Sequence, residues 1–194
     1  ILERKWMSLM KKLSLILFSL IILLNPISIK VKSGEVVKVI SGEKTEVRVI
    51  DGDSIEINNK KIRLFGIDAP EKNQICTTSL NSHNCGDEST DALKKLIGKK
   101  KVYCRYESLD RYKRILGICS GGGGYFWSTT ETKSKKQYEW ENYSINALMV
   151  KYGHAVAYTR YSKRYLKWEE YAKNKELGIW KYQFDRPEDW RKKN

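Results

Sequence analysis

Residues 51–71 concentrate acidic and basic side chains in the sequence DGDSIEINNKKIRLFGIDAPE. If this segment folds as a hairpin, Asp53 and Asp68 lie on neighbouring strands, with Arg63 between them in sequence and Glu71 shortly after. Two carboxylates that lie close together repel each other and resist desolvation unless a cation joins them. The acid spacing therefore predicts a site for a hard metal ion with oxygen ligands.

Acids, a metal ion and a guanidinium are also the groups that phosphodiester hydrolysis requires. The metal ion neutralises phosphate charge and holds a water molecule, an arginine binds the equatorial oxygens through two donors, and a carboxylate takes the proton of that water. Each residue also has an ordinary structural interpretation. Asp51-Gly52 is a turn sequence, Asp68 can be a cap, and Arg63 can form a surface ion pair.

The elements that position these residues begin with an alternating pattern in residues 36–68. Apolar or β-branched residues recur at every second position, and Ser41-Gly42, Asp51-Gly52 and Asn58-Asn59 separate the runs. This pattern predicts a β-meander. Its four strands are expected at residues 36–40, 46–50, 54–57 and 61–65.

Helices and a further hairpin follow. A helix is expected from near Asp87 to Gly98, a hairpin over residues 101–119, and two helices over residues 144–152 and 163–175. We therefore predict an α+β fold, a five-stranded, partly open β-barrel of the OB type with about three helices packed on it. It forms one domain, residues 35–194, with a surface insertion at about 120–142.

Residues 1–34 resemble a targeting segment. A basic start, Met10-Lys11-Lys12, precedes an apolar run at residues 13–24, which is short of the about 20 residues that span a bilayer. We interpret the segment as an export signal. No small-x-small cleavage site is obvious after the run, so a retained membrane anchor through residues 10–24 stays an alternative. The expected location is secreted, periplasmic or anchored at the cell surface.

The charge balance favours a polyanionic partner. The chain of 194 residues has a formal net charge of +14. The segment 1–34 contains six Lys or Arg and one acid, which leaves 31 bases and 22 acids, a net charge of +9, in the remainder. A basic surface of this kind suits nucleic acid or an anionic membrane, although it can also serve solubility alone.

The sequence contains four cysteines, Cys76, Cys85, Cys104 and Cys119. If the chain is exported, we expect them to form two disulfides, because thiols pair outside the cytosol. Three pairings are possible. The predicted hairpin would bring Cys104 opposite Cys119, and Cys76 and Cys85 would close a short polar loop, so we favour these two disulfides. A zinc site would need close C-x-x-C pairs, which the sequence lacks.

Several motifs in order resemble the staphylococcal nuclease (thermonuclease) family, which consists of secreted calcium-dependent nucleases built on an OB-type barrel with three helices. The resemblance covers about residues 36–180. The motifs are VIDGDSIEI at 49–57, IRLFGIDAPE at 62–71, DRYKRILG at 110–117, ALMVKYGHAVAY at 147–158 and a tail E-x-x-A-x5-G-I-W ending at Trp180.

This resemblance implies a role for each matching residue. Asp53 and Asp68 resemble the calcium carboxylates of the family, with the carbonyl of Ala69 as a further ligand. Glu71 resembles the carboxylate that activates the attacking water. The remaining matches are the phosphate-binding arginines, Arg63 and Arg114, and the tyrosines of the nucleotide pocket, Tyr112 and Tyr158.

The resemblance also implies the activity, calcium-dependent hydrolysis of DNA and RNA with low sequence specificity, by a monomer that needs no protein partner. Ala69 departs from the family by replacing a hydroxyl residue, and the insertion at 120–142 alters the connection after the second arginine strand. The disulfides and the tail Phe184-x-x-Pro187-x-x-Trp190-Arg191 resemble the exported bacterial branch. A rival interpretation is an OB module that binds nucleic acid without cutting it, and a third is an anchored surface protein.

Overall fold

The computed structural model describes residues 28–30, 36–121 and 143–194. The predicted apolar export run at 13–24 and nearly all of the predicted insertion at 120–142 therefore lie outside the described residues. Within them, no helix is long and apolar enough to cross a bilayer.

The described part of the chain contains eleven strands and four α-helices. The strands are β1 (Ser28–Lys30), β2 (Val36–Gly42), β3 (Val47–Asp51), β4 (Ser54–Ile57), β5 (Lys60–Leu64), β6 (Ile67–Asp68), β7 (Ile75–Thr77), β8 (Ser82–Asn84), β9 (Val102–Leu109), β10 (Ile115–Gly121) and β11 (Val156–Ala157). The helices are α1 (Cys85–Ile97), α2 (Ile145–Lys151), α3 (Leu166–Asn174) and α4 (Pro187–Lys193).

Seven strands form the main sheet in the order β1-β2-β9-β10-β5-β4-β3. Neighbours are antiparallel except for β5 and β10, which run parallel. Two small pairs, β6 with β11 and β7 with β8, lie outside it. Among the described residues the sheet thus differs from the predicted five-stranded barrel, because it has seven strands and no hydrogen-bonded closure. The fourth helix, α4, was not predicted.

The sheet nevertheless curls strongly. β2 and β3 are five steps apart in the sheet order, about 24 Å in a flat sheet, yet only residues 43–46 separate them in sequence. That short connection reaches at most about 18 Å. The Asn58 side chain after β4 donates a hydrogen bond to the Ser41 carbonyl of β2 at 3.3 Å. Strand β2 therefore approaches the β3–β4 end of the sheet, as in a partly open barrel.

The β4–β5 hairpin shows why the alternation predicted strands. Asn58 and Asn59 form its two-residue loop with φ of 50° and 61°, as a type I′ turn requires. Alternate residues on both strands are buried in the core, namely Ile55, Ile57, Ile62 and Leu64. Helices α1 and α2 pack against the sheet through buried apolar residues. This hairpin and the residues directly before and after it contribute most of the candidate site.

Both favoured disulfides are present. Cys104 of β9 faces Cys119 of β10 directly in the strand register and is bonded to it. Cys76 of β7 is bonded to Cys85, the first residue of α1. All four sulfurs belong to buried residues. The first disulfide braces the hairpin whose turn contains Arg114, and the second fixes the loop that leaves Glu71.

Candidate active site

The turn between β3 and β4 presents the first acid, Asp53, which is only 5% exposed. The Asp51 carboxylate accepts a hydrogen bond from the Asp53 amide at 3.0 Å, an arrangement typical of aspartate in turns. Gly52 is required there because a Cβ atom would lie 2.0 Å from Ser89 Oγ and 2.7 Å from Ala69 Cβ. The local turn therefore places Asp53 against Ala69, the first residue after β6.

Asp53 and Asp68 converge on one cation, the Arg63 guanidinium of β5. Arg63 Nη1 contacts Asp53 Oδ1, and Arg63 Nη2 donates to Asp68 Oδ1 at 2.7 Å. The second oxygen of Asp53 accepts a hydrogen bond from the Ala69 amide at 2.8 Å. Burial lowers the pKa of Arg63, partly opposed by the charges of Asp68 and Asp51. The predicted acid pair and the predicted arginine thus form one buried cluster.

Glu71 lies at the rim of this cluster on a tightly fixed loop. Its amide donates to the side chain of Gln74 at 3.2 Å, and the buried Gln74 amide group donates to the Asp185 carbonyl at 2.6 Å. Helix α1 starts directly against the loop, since a Cβ atom on Gly86 would lie 1.9 Å from the Glu71 carbonyl oxygen. The loop backbone is therefore fixed by Gln74 and by the start of α1, while the Glu71 side chain is 36% exposed.

Arg114 is positioned by an aspartate that sequence reasoning did not single out. Asp110 accepts hydrogen bonds from the backbone amides of Tyr112 and Arg114 and, at 2.7 Å, from Arg114 Nε. Partial burial tends to raise the pKa of Asp110, but the hydrogen bonds from Arg114 outweigh it and lower that pKa. The turn between β9 and β10 therefore points a fixed guanidinium into the site.

All of the predicted active-site residues except the buried Asp68 line one cavity of about 490 Å³. Asp53, Arg63, Ala69 and Glu71 line one part of it. Arg114, Tyr112 and Tyr158 line another part. The Tyr112 ring is 64% exposed. Tyr158 packs edge-on against Tyr161, with ring centroids 4.9 Å apart. The cavity thus combines a buried acidic cluster with a second guanidinium and exposed aromatic rings.

One residue of the cluster, Arg191, was recognised in the sequence only as part of the tail motif, with no role at the site. Arg191 of α4 donates to both oxygens of Asp68, at 3.0 and 2.9 Å, and to Glu71 at 2.7 Å. Burial alone would lower the pKa of Arg191, but the hydrogen bonds to Asp68 and Glu71 raise it. The helix had a readable signature, because Pro187 starts it, two acids follow, and basic residues end it.

A second cluster of ion pairs, centred on Glu169, stabilises the strand that pairs with the one containing Asp68. β6, which contains Asp68, pairs with β11. The buried Glu169 of α3 accepts a hydrogen bond from the Ala157 amide of β11 at 2.6 Å and ion-pairs with Lys173 and Arg186. Arg186 is also the residue that precedes α4. Glu169 thus anchors both the strand beside Asp68 and the start of the helix that contains Arg191.

The oxygen atoms near Asp53 and Asp68 are of the kind that a hard cation prefers, but the described residues offer few of them. No group of three or more His, Cys, Asp or Glu side chains able to hold a metal ion occurs in the described ranges. Asp53 and Asp68 supply two carboxylates that already converge on a guanidinium cation, and the Ala69 carbonyl would add a third oxygen. Because calcium takes six to eight oxygens, water or substrate would complete its coordination.

Comparison with known proteins supports the relationship that the motifs suggest. A family model described as staphylococcal nuclease homologue matches residues 61–182. The succinoglycan biosynthesis protein ExoI of Rhizobium meliloti is 29% identical over 141 residues, which cover 71% of this chain and 64% of that protein. An uncharacterized endonuclease of Escherichia coli is 35% identical over 120 residues, covering 60% of this chain and 61% of that protein.

A micrococcal nuclease of Shigella flexneri is 30% identical over 142 residues, which cover 69% of this chain and 71% of that protein. The chain spans just under two thirds of the length of the first two relatives. The family model covers more than half of the chain and includes Arg63, Asp68, Glu71 and Arg114. The chain therefore belongs to the staphylococcal nuclease homologue family.

Proposed function

We propose that this protein is a calcium-dependent nuclease that hydrolyses phosphodiester bonds of DNA and RNA. The observation that carries the proposal is the convergence of Asp53 and the buried Asp68 on Arg63, beside a cavity that Asp53, Arg63, Glu71 and Arg114 line. Membership of the family supports it, as do relatives named endonuclease and micrococcal nuclease.

Each side chain has a role that follows from its chemistry. Arg63 and Arg114 bind the non-bridging oxygens of the scissile phosphate and stabilise the charge that develops on them, since a guanidinium offers two parallel donors. Glu71, half-exposed at the rim, orients the attacking water and accepts its proton. Asp53, Asp68 and the Ala69 carbonyl hold calcium, which when bound supplies positive charge at the phosphate.

Tyr112 and Tyr158 bind the nucleotide rather than the reacting atoms. A phenol can donate to a phosphate oxygen, and an exposed ring can stack on a base of any identity. The net charge of +9 after residue 34 favours binding of a polyanion through its phosphates. Phosphate contacts contain no sequence information, so low sequence preference follows.

We further propose that the protein acts outside the cytosol, as a monomer. Two disulfides are compatible with an oxidising compartment. The apolar run at residues 13–24 serves as an export signal or as a membrane anchor in this proposal.

The test is cleavage of plasmid DNA and of a single-stranded RNA by the purified protein, with calcium, with magnesium or with a chelator. We expect cleavage of both polymers with calcium and none with the chelator. Glu71→Gln should lose cleavage but keep binding to DNA. The matched control is Glu88→Gln, which removes the same charge from a carboxylate on α1 that is 43% exposed. Binding without cleavage by the wild type would favour the non-catalytic OB module instead.

A further inference from the structure

Arg191 lies in the acidic cluster, although its position in the sequence is beyond the residues that the family model matches. It lies in α4, 120 residues beyond Glu71 in sequence, whereas the family match ends at residue 182. Its two terminal nitrogens bind both oxygens of Asp68, and one of them also binds Glu71. One guanidinium thus joins a proposed metal ligand to the proposed base.

The contacts leave Asp68 fully engaged by arginines. Its Oδ1 accepts from Arg63 at 2.7 Å and from Arg191 at 3.0 Å, and its Oδ2 accepts from Arg191 at 2.9 Å. Asp68 is 1% exposed, while Arg63 and Arg191 both line the cavity. A divalent cation that approaches Asp68 from the cavity therefore meets a guanidinium first.

The helix that contains Arg191 is held in place by contacts that do not involve the cluster. Arg186, just before α4, pairs with Glu169 at 3.1 Å. Glu188 of α4 pairs with Arg160 at 3.0 Å, and Lys193 pairs with Asp185 at 2.8 Å. Helix α4 and the residue before it therefore keep two ion pairs to other elements, through Arg186 and Glu188, that do not depend on Arg191.

We propose that Arg191 is an internal counter-cation that competes with the divalent cation for Asp68 and Glu71. This inference rests on the proposed function, since it concerns the same acids. In the metal-free protein Arg191 neutralises them. When calcium binds, the Arg191 side chain withdraws from Asp68 and frees at least one of its oxygens.

The expected change in calcium affinity follows from the positive charge of Arg191. An arginine within about 4–6 Å of an aspartate shifts the proton equilibrium of that carboxylate by one to three log units, and we expect competition with another cation to be of similar size. Removing the positive charge of Arg191 should therefore tighten calcium binding about tenfold or more. A lysine at the same position keeps the charge but cannot make the two parallel contacts with Asp68, so it should have an intermediate effect.

The experiment is calorimetric titration of calcium into the purified disulfide-bonded protein and its variants, without any nucleic acid. Arg191→Gln should bind calcium about tenfold or more tightly than wild type, and Arg191→Lys should lie between them. Lys192→Gln is the matched control, because it removes one positive charge from an α4 side chain that is 62% exposed and pairs with Asp189 and Glu188. Its affinity should stay within about twofold of wild type, because exposed charges are well screened.

Thermal unfolding provides a second measurement. Calcium should raise the Tm of Arg191→Gln more than it raises the Tm of wild type, because the variant has lost the internal cation that the metal replaces. Circular dichroism of each variant at saturating calcium confirms that the fold is retained. If Arg191→Gln does not fold, the titration of Arg191→Lys still distinguishes the predictions.

The outcomes separate this inference from the function on which it rests. Equal or weaker calcium binding by Arg191→Gln, with wild type binding calcium and cutting DNA, would overturn only the competition and assign Arg191 to holding the acids in position. Equal calcium binding by wild type and Asp53→Asn would overturn the proposed metal site. If neither wild type nor Arg191→Gln binds calcium, both proposals fail.

Discussion

Substituting Glu169 by glutamine should destabilise the protein measurably although the residue lies outside the cavity. The carboxylate is 3% exposed and is contacted by Arg186 twice at 3.1 Å, by Lys173 at 2.8 Å and by the Ala157 amide at 2.6 Å. Glutamine can still accept from the amide, but it removes the negative charge and places a donor beside Arg186. The substitution therefore isolates the ionic part of the cluster.

The expected loss of unfolding free energy follows from the burial of Glu169. Breaking a buried ion pair from one side costs about 3–5 kcal/mol, because the remaining charge loses its partner. Glu169→Gln belongs at the lower end, since Lys173 and Arg186 keep partial access to water and the amide keeps an acceptor. A loss of about 3 kcal/mol corresponds to a fall in Tm of about 6–12 °C for a chain of this size.

The loss should depend on pH with a defined sign. Burial tends to raise the pKa of Glu169, but hydrogen bonds from Arg186, Lys173 and the Ala157 amide outweigh it and lower that pKa. A lowered folded-state pKa stabilises the fold above the unfolded value of about 4.3, and that stabilisation is lost as pH falls through the folded value. The difference between wild type and Glu169→Gln should therefore be full at pH 7 and shrink below about pH 4.3.

The assay is urea unfolding followed by tryptophan fluorescence and circular dichroism between neutral and acidic pH. Glu170→Gln is the matched control, since it makes the same change at the next residue of α3, where the side chain is exposed. A difference between the two variants of less than about 1 kcal/mol at pH 7 would refute the buried-pair argument, because even a partial loss of such a pair exceeds that amount. A difference that persists unchanged at low pH would refute its ionic origin.

Three further predictions concern the site and the disulfides. Asp53→Asn should weaken calcium binding and DNA cleavage together, as measured by titration and plasmid cleavage, and full activity would contradict the metal assignment. Arg63→Lys and Arg114→Lys keep the charge but lose the planar fork, so each should lower kcat about a hundredfold or more; a wild-type rate would show that charge alone matters. Replacing Cys104 and Cys119 with alanine opens a cross-link of sequence separation 15 and should cost about 3 kcal/mol in urea unfolding. Unchanged stability would show that this disulfide does not restrict the unfolded chain.

Local patterns were sufficient to predict that the acids and the arginine at the centre of the candidate site lie close together. Asp53, Arg63 and Asp68 lie close together in sequence, on segments that a two-residue turn brings side by side, so alternation and turn residues determined their proximity. The β9–β10 hairpin was predictable in the same way, and with it the approach of Cys104 and Cys119. The parallel pairing of β5 with β10 was not, because nothing in either strand specifies a partner so distant in sequence.

The supporting contacts were beyond sequence reasoning for a different reason. Gln74 donates to the Asp185 carbonyl across 111 residues, and Glu169 and Arg191 lie on short helices rich in charged residues. A single polar residue on such a helix has no periodicity that distinguishes a buried ion pair from a solvated side chain. Only the packing of α3 and α4 against β11 and the Glu71 loop selects these residues.

The two arginines of the cluster explain how such an acidic site can fold before any metal binds. Each buried carboxylate that lacks a partner costs several kcal/mol, so Asp53 and Asp68 together could offset much of the net stability of a domain. Arg63 reaches both acids from a neighbouring strand, and Arg191 adds a second cation from α4. These contacts neutralise the acids without a metal ion, so on the proposed function the acidic site can fold before calcium displaces Arg191. A variant truncated before α4 should then fold less stably in chelator than in calcium, and this gap in unfolding free energy should exceed that of the full chain.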